Sequence, residues 1–114
     1  MKLSYVLLLA LVLSGVVRPA LGQDTKAVER GQAVFAEQKC ALCHSVAKKG
    51  NPKGPLDEIG SKLTADQMRQ WLLTPKEMGA KEKATRMPPM PPFTKLSKTD
   101  LDALVGYLQT LTKK

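Results

Sequence analysis

Cys40, Cys43 and His44 share one short stretch, Cys40-Ala41-Leu42-Cys43-His44. They are the only two cysteines and the only histidine of a 114-residue chain. The order C-x-x-C-H is the attachment pattern for c-type haem. Two thiols three positions apart on a helical turn can each add to one haem vinyl group. The adjacent imidazole is then carried under the iron as its proximal ligand. Covalent attachment gives an exported chain a cofactor that dissociation cannot remove. Three other uses of these residues compete. A structural zinc site normally takes four Cys or His ligands, more than the chain supplies. A thioredoxin-like C-x-x-C is expected beside a βαβ pattern, and no strand is evident. A structural disulfide gains most by closing a long loop, whereas a bridge here would stabilise little.

Because His44 is the only histidine, the sixth iron ligand must be another residue type. A methionine thioether opposite a histidine is an established haem pair that raises the potential. Met68, Met78, Met87 and Met90 are available. The ordinary role of a methionine is packing, and Met68 fits that role on an apolar helix face. Met78 sits in a charged segment just past Pro75. Met87 and Met90 each precede a proline, which biases both away from helical geometry. Met90 alone has prolines on both sides, Pro89 and Pro91, a stiff strap able to hold a sulfur in place. Met90 is the preferred sixth ligand, and Met87 is the alternative.

The elements that must position these groups read as helices. Val28, Gly31, Val34 and Phe35 recur at helical spacing and predict a first helix over residues 26 to 40. Ala47 to Gly60 is rich in Gly and Pro and reads as loop. Thr64 and Gln67 form a capping box that opens a second helix, with Met68, Trp71 and Leu72 on one face and Pro75 at its end. Lys76 to Phe93 reads as loop. Ser97 and Asp100 then have the spacing of a helix start, followed by Leu101, Leu104, Val105, Leu108 and Leu111 on one face. The expected class is all-α, with three main helices and long loops. Loops this long need a reason, and a large rigid ligand that they wrap supplies one.

Composition bounds the setting. Lys2, the apolar run Leu3 to Val17 and Ala20-Leu21-Gly22 read as a signal peptide cleaved after Gly22. The run is short for a membrane span. The domains are therefore residues 1–22, a cleaved leader, and residues 23–114, a monohaem domain with no segment able to cross a membrane. Without Lys2 and Arg18 the chain keeps 16 basic against 10 acidic residues, a charge of +6. Such a surface suits acidic partners. The basic residues are dispersed and lack interleaved aromatics, and the chain is exported, so nucleic acid is not expected.

In this order the segments resemble class I cytochrome c over nearly all of residues 26 to 112. Gly31 and Phe35 look like that family's first-helix signature, with Leu104 and Tyr107 as their contacts on the last helix. Gly54-Pro55-Leu56 resembles the loop whose proline carbonyl accepts the proximal His Nδ1–H, which would make Pro55 the group that orients His44. Trp71-Leu72-Leu73-Thr74-Pro75 resembles the segment lining the haem on the Met side. Met90-Pro91-Pro92-Phe93 resembles the axial-Met segment. The interval from haem motif to Met90 is short, as in a small bacterial type. The resemblance implies the cytochrome c fold around one covalent haem c and its iron.

A haem with both axial positions filled offers no site to a substrate. The expected function is single-electron transfer rather than enzymatic catalysis, in the periplasm, by a monomer. An apolar shell of Phe35, Leu56, Leu63, Met68, Trp71 and Leu72 is expected to favour the ferrous state. Lys39, Lys48, Lys49 and Lys53 flank the haem motif, and Lys83, Arg86 and Lys95 flank the strap. Opposed basic rims would steer redox donors and acceptors with acidic docking surfaces. The alternative is a haem subunit docked permanently in a larger oxidoreductase complex.

Overall fold

The computed structural model describes residues 24–114. The expected leader, residues 1–22, and the chain start at Gln23 lie outside the described residues. Helix α1 (Thr25–Glu37) begins at Asp24, whose side chain accepts from the Lys26 amide, the usual way an aspartate satisfies a free donor at a helix start. A 3₁₀ turn (Cys40–Leu42) follows, and Lys39 between them takes a left-handed φ of 57°. Strands β1 (Ser45–Val46) and β2 (Lys49–Gly50) form an antiparallel hairpin. Helices α2 (Ile59–Lys62), α3 (Ala65–Leu73), α4 (Pro75–Lys81) and α5 (Lys98–Gln109) complete the order. Among the described residues no helix is long and apolar enough to cross a membrane.

The core forms where α5 packs against α1 and α3. Val34, Met68, Leu72, Leu101, Leu104, Val105, Tyr107 and Leu108 are buried together. Gly31 lets the two long helices touch: a Cβ there would run into the Ala103 carbonyl and Tyr107 Cβ. Phe35 and Tyr107 meet edge to face beside it, ring centres 5.8 Å apart. The capping box at α3 is formed from both sides, Gln67 amide to Thr64 Oγ1 at 3.2 Å and Thr64 amide to Gln67 Oε1 at 2.8 Å. Ser97 Oγ caps α5 by accepting from the Asp100 amide.

Three expectations change. The first helix stops at Glu37, and the cysteine turn is a separate tighter element. Segment 76–81 is helical, because Pro75 starts α4 instead of closing α3. A proline at the first helical position loses only an amide that would have no partner anyway. Thr74 serves as the last cap of α3 and the first of α4. Met78 is consequently buried at 5% exposure, not in a loop. Finally, the segment 47–60 contains the second strand of a short hairpin, and its last two residues, Ile59 and Gly60, already belong to α2. The hairpin turn, Ala47-Lys48, is left-handed at both residues, φ 50° and 65°, the geometry of a type I′ turn but without the residues that usually mark one. The architecture remains all-α in its core, with α1, α3 and α5 as its three longest helices.

Candidate functional site

The attachment turn is held by the hairpin and the loop after it. The His44 amide donates to the Cys40 carbonyl at 2.8 Å, which closes the turn. Asn51 clamps it from outside: its amide donates to the Ala41 and His44 carbonyls and its Nδ2 to the Leu42 carbonyl. The Ser45 amide donates to the Gly54 carbonyl, and the Leu56 amide to the Ser45 carbonyl. Both thiols and the imidazole are half-buried. Both cysteines are free thiols.

His44 Nδ1 lies 3.2 Å from the Gly54 carbonyl. The expected acceptor was the Pro55 carbonyl, one residue further along. A carbonyl only accepts, so Nδ1 carries the proton in this contact and Nε2 is left with the lone pair. Burial holds the His44 pKa below its usual value, against the stabilising Gly54 contact, and the charge of Arg86 lowers it further. Neutral imidazole is the form that binds metals. Burial, with a smaller effect from Cys43, pushes the Cys40 thiol up to about 11.

These groups open onto a cavity of about 1390 Å³, beyond the size usual for a small-molecule pocket. Cys40, Cys43 and His44 line it, and so does Met90. The segment Trp71 to Pro75 and the segment Met90 to Phe93 form further wall. They are tied together where the Phe93 amide donates to the Leu72 carbonyl at 2.8 Å. All six residues expected in the apolar shell line the cavity. Met90 is half-buried against the core cluster, while Met87 is 77% exposed and is not in the wall.

The basic residues divide. Lys39, Lys83 and Arg86 reach the cavity wall, but Lys48, Lys49, Lys53 and Lys95 do not. Sequence reasoning missed Lys76, Gly79 and Ala80, which α4 brings to the wall. Reading Pro75 as a helix start would have found them.

The donor set fits haem c. Two free thiols on one turn, a neutral imidazole next to them and a large apolar hollow are what attachment through two thioethers requires. The chain matches the cytochrome c family model over residues 28–112. A search of curated proteins returned no match. A match over most of the chain, on a helical framework built around Cys40, Cys43 and His44, makes this protein a member of the cytochrome c family, an electron-transfer protein that binds haem c and its iron covalently.

Proposed function

We propose that the chain is a periplasmic single-electron carrier in which His44 and Met90 hold the iron and the thiols of Cys40 and Cys43 fix the haem. One observation carries this reading: both cysteines, His44 and Met90 line one large, mainly apolar cavity. Bound there, haem supplies reversible one-electron chemistry. The residues of the chain do the rest. The Gly54 carbonyl orients the imidazole. The Phe93–Leu72 contact anchors the strap carrying Met90. Phe35, Trp71 and Leu72 exclude water, which favours the less charged ferrous state.

Charge supports docking to an acidic redox partner. Lys39, Lys76, Lys83 and Arg86 line the cavity with a single carboxylate, Glu77. Among the described residues the large exposed apolar side chains are Leu42 and Met87. A permanently docked subunit would expose a broader apolar patch, so a free monomeric carrier is favoured over a subunit of a larger complex. The test is to express the full chain with haem-attachment machinery and fractionate the cells. Expected is a periplasmic protein starting at Gln23, with haem retained through denaturing electrophoresis and electron exchange that slows as salt screens charge. A cytoplasmic, haem-free product would defeat the reading.

A further inference from the structure

Among the described residues the fold shelters every methionine but one. Met68 and Met78 are 2% and 5% exposed, and Met90 is half-buried in the cavity wall. Met87, three positions before Met90, is 77% exposed and outside that wall. It lies in a run, residues 81–89, in which every residue is exposed. The charges of the run are Lys81, Lys83 and Arg86 against one carboxylate, Glu82. Among the described residues none of these three cations is held in an ion pair.

A thioether is soft and polarisable, and its oxidation to the sulfoxide follows access from solvent. A sulfoxide at Met68 or Met78 would put a polar oxygen among packed apolar groups. One at Met90 would replace the thioether assigned to the iron. At Met87 the new oxygen would stay in water and disturb neither core nor cavity. We propose that Met87 is a reversible oxidation site that consumes peroxide-type oxidants ahead of Met90. Met87 Sδ attacks the terminal oxygen of the peroxide, giving up an electron pair. An S–O bond forms and the O–O bond breaks. The proton of the transferred oxygen passes to the leaving oxygen, which departs as water from hydrogen peroxide or as hydrogen sulfate from peroxymonosulfate. Methionine sulfoxide reductase reverses the change. The unpaired cations of the run draw an anionic peroxide towards this sulfur. The inference rests on the reading of Met90 as iron ligand.

The test treats oxidised, haem-loaded wild type and Met87→Leu with peroxymonosulfate, in doses comparable to the protein concentration. Peptide mass spectrometry locates the sulfoxides, and the long-wavelength iron–sulfur absorption reports on Met90. In wild type the Met87 sulfoxide should form first, with the absorption intact, and the reductase should remove it. Met87→Leu should start with the wild-type spectrum and lose the absorption at a several-fold lower dose. Added salt should slow attack at Met87 by the peroxymonosulfate anion, whereas attack by neutral hydrogen peroxide should not change. Met90 oxidised as fast as Met87 in wild type overturns the proposal, as does loss of the absorption at equal dose in both proteins. An equal response of the two oxidants to salt overturns the role given to the cations. Haem-loaded wild type that lacks the iron–sulfur absorption before any oxidant is added would defeat the ligand reading itself, whereas the other negative results defeat only the part given to Met87.

Discussion

The α1–α5 interface and the cavity wall are made of the same chain by opposite means. The interface is finished by protein alone. Val34, Leu104 and Val105 are 0%, 1% and 1% exposed, and Gly31 brings backbone against side chain. Its charges are paired across the helices, Arg30 to Asp100 at 2.9 Å, and next to it Arg69 of α3 pairs with Asp102 of α5 at 3.3 Å. The cavity wall is unfinished. Phe35, Leu56, Leu63, Trp71, Met90 and Phe93 are only half-buried, and the cations Lys39, Lys76, Lys83 and Arg86 have no acidic partner among the described residues. Apolar surface left facing a hollow contributes little until something fills it. The first region is a core, and the second becomes one only around a ligand.

The sharpest way to break that contrast is to deny the cavity its ligand. Cys40→Ser with Cys43→Ser should abolish covalent haem and, with it, cooperative unfolding, since binding a required group and folding are one event in such small domains. Haem staining after denaturing electrophoresis and a circular dichroism melt would check this. A double variant that still melts cooperatively with native helix content would mean that the α1–α5 interface holds the fold unaided.

The next effect is confined to the cavity side. Met90→Ala should remove the long-wavelength iron–sulfur absorption of the oxidised protein, lower the potential and admit carbon monoxide. Met87→Ala should leave all three nearly unchanged, because that side chain is 77% exposed. The reverse pattern would transfer the ligand role to Met87.

The two regions also differ in how far they could be read in advance. Helix α5 was legible because burial repeats along it every three or four residues, and α3 because Thr64 and Gln67 are side-chain caps with a fixed spacing. The attachment turn was legible because its chemistry needs three named residue types in order. What escaped was carried by backbone. A carbonyl acceptor has no residue signature, so the His44 partner was placed at Pro55 when Gly54 supplies it. Pro75 permits a helix to end or begin, and the interior Gly79 weakens the pattern of α4. The hairpin strands have two residues each, too short to show a period. Arg86 is a single arginine in a loop, and nothing beside it in sequence points to His44.

Gly31→Val should damage the other side. The added carbons meet the Ala103 carbonyl and Tyr107 Cβ, so α1 and α5 must separate. Overpacking of this kind costs about 1–3 kcal/mol. Urea unfolding of the haem-loaded variant should show a lowered midpoint, with the haem spectrum and potential close to wild type. A changed spectrum would show that strain passes from the interface to the cavity, and the two regions could no longer be treated as separate.

The smallest effect concerns the charges that close the interface. Asp100 accepts from Arg30 Nε and Nη2, each at 2.9 Å, and Arg30 also reaches Glu37. The Arg30 hydrogen bonds hold the Asp100 carboxyl below its ordinary value, against a smaller opposing effect of desolvation. A carboxylate depressed on folding stabilises fully above its unfolded pKa and loses that contribution as pH falls through the folded value. Both side chains still reach water, at 43% and 27% exposure, so screening keeps the worth of the pair small. Asp100→Asn should therefore lower the urea midpoint slightly near neutral pH, by less than Gly31→Val does. The gap to wild type should narrow as pH drops below about 4, where wild type too loses the charge. Added salt should shrink the gap at pH 7. A gap that stayed constant down to the acid limit would assign the loss to the cap at Ser97 or to packing, leaving the Arg30–Asp100 pair without a measurable part in joining α1 to α5.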